Sequence, residues 1–234
     1  MIAYGLASAL KRRLQKREER DVLMKALISY FSARGSTLTV AEAIAESLRQ
    51  AGIAARCHAT KERVFPEADE ILFIGSPTYM FHLAPIVKNY LEALPSRRGG
   101  KAVTFSTFGE VCSGGLHAQA ARILRRKGYA VVGAIKVPAE HSLMLTSANP
   151  LGKGRPSRED LECVRGFTRN LVAAMQNNTL RDIGSPWFAP AHARAIAMMM
   201  SVLPHLSVAE KASAPLLPIM KKMIGEASVV GCLS

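Results

Sequence analysis

Between Lys25 and Gln176, apolar and β-branched segments alternate with amphipathic ones. That alternation restricts the chain to α/β folds built on a parallel sheet. Strands are expected near 25–31, 52–58, 70–75, 101–107 and 129–137, and helices near 38–51, 83–94, 115–128 and 157–176. Ile71-Leu-Phe-Ile-Gly75 and Tyr129-Ala-Val-Val-Gly-Ala-Ile135 are continuous apolar runs, as befits strands covered on both faces. The pattern predicts a doubly wound sheet.

In such a sheet ligands bind beyond the carboxyl ends of the strands, at the switch point. Three loops fall there. The first is Ser32-Ala-Arg-Gly-Ser-Thr37, between the Lys25–Phe31 run and a helix whose Val40, Ile44 and Leu48 share one face. A hydroxyl-rich loop at a helix N-terminus offers unpaired amides, a positive dipole end and side-chain donors, the requirements of a phosphate. The same residues also suit an ordinary βα loop in which Ser and Thr cap the helix. The second loop is Ser76-Pro-Thr-Tyr-Met-Phe-His82, and the third is Ser106-Thr-Phe-Gly-Glu-Val-Cys-Ser-Gly-Gly115. Together they supply a phosphate cradle and two walls for a flat ring.

Here a resemblance becomes specific. Ser32-Ala-Arg-Gly-Ser-Thr37 resembles the flavodoxin phosphate loop S/T-x-T-G-x-T except at Arg34. Ser76-Pro-Thr-Tyr79 is similar to the second flavin loop of that superfamily, and Gly114-Gly115 resembles the loop that closes on the flavin ring. From Lys25 to about Met175 the chain resembles the flavodoxin half of flavodoxin–ferredoxin fusion proteins, and Asn149-Pro-Leu-Gly-Lys-Gly-Arg-Pro156 recurs in that group.

The resemblance implies a flavodoxin-like five-stranded parallel sheet of order 2-1-3-4-5, with FMN and one- or two-electron transfer. Ser32, Arg34, Gly35, Ser36 and Thr37 would take the phosphate. Ser76, Pro77, Thr78, Tyr79, Phe81 and His82 would form one wall of the ring site. Ser106, Thr107, Phe108, Gly109, Gly114 and Gly115 would form the other. Tyr79, Phe81 and Phe108 are the candidate ring stackers; each is equally a packing aromatic. Phe81-His82 stand where related proteins carry glycines that let a peptide flip toward the flavin. The iron–sulfur cysteines of the fusion proteins are absent from the sequence, so electrons would come from or go to another molecule.

The four cysteines, Cys57, Cys112, Cys163 and Cys232, are each more than fifty residues from the next, which excludes a local C-x-x-C motif. No metal site is expected, and free thiols in a reducing cytoplasm are the default. Cys112, in the third loop, is either a small packing residue or a redox-active thiol. His58, His82, His117 and His141 are scattered, without a partner identifiable from spacing, so no catalytic residue is assigned.

Three segments are expected: a basic N-terminal helix in 1–23, the FMN-binding domain at 24–177, and a helical extension at 178–234 with helices near 190–202 and 215–226. In the first, Leu6, Leu10 and Leu14 recur every fourth position among basic residues, a pattern suited to packing on the domain or to a lipid interface. The apolar start precedes the basic residues, the reverse of secretory order, and no long uncharged run predicts a membrane span. The formal net charge of +13 favours an acidic redox partner or an anionic membrane, or simply solvates the surface. No aromatics are interleaved with basic residues, so nucleic acid is not the expected partner. Three function classes follow: an FMN oxidoreductase or electron carrier, a flavin-dependent quinone or small-molecule reductase, and a flavin-free docking module.

Overall fold

The computed structural model describes residues 24–109, 113–140 and 150–184. Within them the chain runs β1 (Lys25–Tyr30), α1 (Ser36–Gln50), β2 (Ala54–Ala59), β3 (Glu70–Tyr79), β4 (His82–Leu83), α2 (Pro85–Ala93), β5 (Gly100–Phe108), α3 (Leu116–Arg126), β6 (Tyr129–Pro138) and α4 (Arg158–Gln176). The expected N-terminal helix, the helices at 190–202 and 215–226, Cys112, His141 and Cys232 lie outside the described residues.

Five strands pair in parallel in the order β2-β1-β3-β5-β6. This is the expected 2-1-3-4-5 topology, because β4 is only a two-residue antiparallel partner of β3. The switch point lies between β1 and β3. Strand alternation splits the core into two layers. On one face Ile28, Val103, Phe105 and Ile135 meet Val40 and Ile44 of α1 and Val164 and Phe167 of α4. On the other, Leu27, Leu72, Ile74 and Val131 meet Val87 and Leu91 of α2 and Ala120 and Leu124 of α3. Gly75 lets β3 lie under its neighbour: a Cβ there would fall 2.2 Å from the Phe105 ring.

The structure corrects two boundaries. α1 begins at Ser36, two residues before the expected start, because Gly35 at φ 93° turns the chain directly into the helix. β3 continues to Tyr79 rather than ending at Gly75, since Ser76 and Pro77 stay in register with Ser106 and Thr107. The second loop is therefore mostly strand. Ser157 caps α4 reciprocally with Asp160: the Asp160 amide donates to the Ser157 hydroxyl, and the Ser157 amide to the Asp160 carboxylate. Past α4 the chain runs on to Gly184, held by Ile183 N–H donating to Val131 O at 2.9 Å and by Arg125 paired with Asp182.

Candidate functional site

The three loops of the sequence analysis meet at the carboxyl ends of β1, β3 and β5. The first turns through Gly35 into α1. No side chain caps this helix and no acidic residue occupies its first turn. Its first intrahelical bond is Thr39 N–H to Gly35 O at 2.8 Å, so the amides before Thr39 remain available to a ligand. The Ser32 hydroxyl is buried without a hydrogen-bond partner. The alternative role for these hydroxyls, as caps, is not what the structure shows: Thr39 Oγ1 donates back to Gly35 O, and Thr37 Oγ1 meets Thr107 Oγ1 at 2.8 Å. Arg34 is exposed at the loop tip.

The second segment is a β-hairpin. Thr78 pairs with Leu83 and Tyr79 with His82, leaving Met80 and Phe81 as a two-residue turn. Both have positive φ, 47° and 68°, as the turn type that suits hairpin twist requires. Glycine or asparagine normally fills such positions; here a methionine and a phenylalanine hold them. Met80 is 64% exposed, at the rim of the site. His82 is also exposed, while Phe81 is half-buried. The Thr78 hydroxyl is a second buried group without a partner. Ser76 Oγ accepts from Ala84 N–H at 3.1 Å and so fixes the exit into α2. Tyr79 packs edge-to-face on Phe31, ring centroids 6.2 Å apart, joining the ends of β3 and β1.

The hairpin rests on the third loop. Gly115 N–H donates to Phe81 O at 3.0 Å, and Leu83 N–H to Gln119 Oε1 at 3.0 Å. Gly114 has φ 55°, and a Cβ there would lie 2.3 Å from Phe81 Cβ. Only glycine permits both the turn and the close approach. Ser106, Thr107 and Phe108 belong to β5 rather than to a loop, and all three are buried. Gly109 follows, half-buried.

His117, for which spacing gave no partner, ties α3 to β5. It is buried in the first turn of α3 between two β5 hydroxyls, with Thr104 Oγ1 2.8 Å from Nδ1 and Ser106 Oγ 2.8 Å from Nε2. Burial, and secondarily the charge of Lys136, push its pKa down to about 3, so the ring is neutral at physiological pH. Lys136 is itself buried, on β6 in register with Ser106. The sequence signal was the alternation Thr104-x-Ser106, which puts two hydroxyls on the face that α3 covers. Cys57 is remote on β2, and burial pushes its thiol up to about 11.

No group of His, Cys, Asp or Glu among the described residues is placed to hold a metal ion. No described helix is long and apolar enough to cross a membrane.

Residues 27–113 match the family model of the flavodoxin domain. Among solved structures, rubredoxin oxygen:oxidoreductase from Desulfovibrio gigas superposes with a TM-score of 0.50 at 21% identity, over 73% of this chain and 41% of that one. A flavodoxin from the domain Archaea (TM-score 0.45, 18% identity) is covered over 99% of its length by 65% of this chain. Oxidised flavodoxin 1 from Bacillus cereus (TM-score 0.48, 19% identity) is covered over 97% of its length by 64% of this chain. No curated protein sequence matches the chain.

Proposed function

We propose that this flavodoxin-like domain binds FMN across the ends of β1, β3 and β5 and acts as an electron carrier or oxidoreductase. The observation that carries the reading is the pairing of an uncapped helix N-terminus with the buried, unpartnered Ser32 hydroxyl. A buried hydroxyl without a partner costs about 1–3 kcal/mol, which a phosphate oxygen would recover. The Thr78 hydroxyl offers a second donor beside the ring position. The residues present therefore fit the group.

Bound there, FMN would supply one- or two-electron transfer; the protein supplies binding and orientation. Ser32, Ser36 and the α1 amides hold the dianion, and Arg34 at the loop tip adds a cation. Thr37, through Thr107, keeps the phosphate loop at a fixed distance from the third loop. His117 holds Ser106 in place as a positioning residue. The hairpin, seated on Gly114 and Gly115, excludes water from one side of the ring position. Met80 and His82 at the exposed rim would meet the redox partner.

The test is addition of FMN to protein freed of small molecules. A one-to-one complex with a shifted visible flavin spectrum is expected. Protein that leaves the FMN spectrum and fluorescence unchanged would instead support a flavin-free docking module.

A further inference from the structure

The end of the sheet opposite the candidate site carries a charge pattern that flavin binding does not use. Lys101 is the second residue of β5, Arg98 lies in the turn before it, Arg122 lies one turn from the end of α3, and Lys127 follows that end as its C-cap. All four lie toward the amino ends of the strands. They lie off the carboxyl-end loops, and steering a partner to the flavin edge does not account for them. Arg98 and Arg122 are exposed, Lys101 and Lys127 half-buried, and none forms an ion pair with a described residue.

The acids at this end already have basic partners, Glu67 sharing Lys25 at 3.5 Å and Arg56 at 3.9 Å with its neighbours. Asp69 pairs with Lys25 at 3.1 Å, Glu70 with Arg56 at 2.6 Å, Glu92 with Arg126 at 2.7 Å and Asp182 with Arg125 at 2.6 Å. The surplus is positive. Both ends of the described domain also leave from here. The Met24 carbonyl accepts from Ala54 at the start of β2, and Ile183 is held by Val131 near the start of β6. The sequence before Met24 carries six basic and two acidic residues between Lys11 and Arg20, with Leu6, Leu10 and Leu14 at fourfold spacing.

From this juxtaposition we infer that the end of the domain opposite the candidate site docks on an anionic lipid surface. A plane of anionic headgroups is complementary to the patch and to the basic sequence at 11–20 that precedes the described domain. The fourfold leucines suit the acyl boundary beneath those headgroups, which an acidic soluble protein does not offer. Docked this way, the carboxyl-end loops face the solvent.

Sedimentation of the full chain with vesicles tests this. Binding is expected to phosphatidylcholine vesicles containing phosphatidylglycerol and not to pure phosphatidylcholine, weakening steeply as salt rises. In the full chain, R98Q/K101Q/R122Q/K127Q should bind at least tenfold more weakly, with an unchanged melting temperature. Equal binding to neutral vesicles, unchanged binding of the fourfold variant, or a soluble acidic protein that displaces the chain from vesicles at equal charge concentration would overturn the inference. FMN should bind vesicle-bound and free protein alike. Failure of both to bind FMN would refute the flavin reading and leave the docking result standing.

Discussion

The hydroxyl oxygens of Thr37 and Thr107 lie 2.8 Å apart, and both residues are buried. They come from the first turn of α1 and the last residues of β5, seventy positions apart in sequence. This one contact sets the spacing between the loop proposed for the phosphate and the strand end that carries the third loop.

Thr107→Val keeps the shape of the side chain and leaves the Thr37 hydroxyl buried without a partner. The expected loss is about 1–2 kcal/mol of stability, read as a lower urea midpoint with an unchanged slope. FMN affinity should fall as well, since the α1 N-terminus is no longer tied. An unchanged midpoint would show that the hydroxyl pair contributes nothing.

His117 makes stability depend on mild acid. Its folded pKa of about 3 lies below the ordinary value because burial, then Lys136, disfavours the charged ring. An unfolded histidine titrates near 6.5, so below about pH 6.5 the unfolded chain takes up a proton that the native protein refuses. The contribution is therefore complete above about pH 6.5 and is lost progressively toward pH 3. The loss at pH 5.5 is on the order of 1 kcal/mol. Urea midpoints measured from pH 7.5 to 5.5 should fall in the native sequence and fall less in His117→Gln. Parallel curves for the two proteins would contradict the assignment.

Glu70 is a buried carboxylate that accepts from Arg56 Nε and Nη2, each at 2.6 Å, and from the Glu67 amide at 2.7 Å. Burial alone would raise its pKa; the Arg56 hydrogen bonds reverse this and hold it below the usual carboxylate value. Its stabilisation is present above the unfolded carboxylate pKa and is lost as pH falls below it, so it overlaps only the acid end of the His117 window and leaves the range from pH 7.5 to 5.5 to the histidine. Arg56→Met leaves the carboxylate unpaired and should cost about 2–4 kcal/mol. Arg56→Met with Glu70→Gln should recover part of that loss in a double-mutant cycle. Additive losses would show the two residues to be uncoupled.

Gly114→Ala forces a side chain into positive φ and against the Phe81 backbone. The hairpin must lift off α3 to admit it. The expectation is about 1–3 kcal/mol of lost stability together with weaker FMN binding. Full retention of both would mean that the hairpin does not rest on the third loop as described.

The fold was largely legible because β3 and β6 carry dense apolar runs and each helix keeps one apolar face. Residues such as Leu72, Phe73 and Ile74 permit little else. The site segments were legible as a set, since Ser32–Thr37, Ser76–His82 and Ser106–Gly115 each follow or complete the carboxyl end of a strand and topology brings those ends together. What each hydroxyl does was not. Thr37 and Ser106 turn to Thr107 and His117, partners fixed by how α1 and α3 cross the sheet, and crossing geometry leaves no local trace. The hairpin was missed because Met80 and Phe81 lack the glycine or asparagine that announces such a turn.

The most direct measurement compares FMN with riboflavin in equilibrium titrations of the same protein. The two ligands share the ring and differ in the phosphate. If the α1 N-terminus and the Ser32 hydroxyl hold that phosphate, FMN should bind on the order of 10²-fold more tightly, the equivalent of one or two charge-assisted hydrogen bonds. Ser32→Ala should narrow the gap. Equal affinities for the two ligands, or binding of neither, would contradict the account.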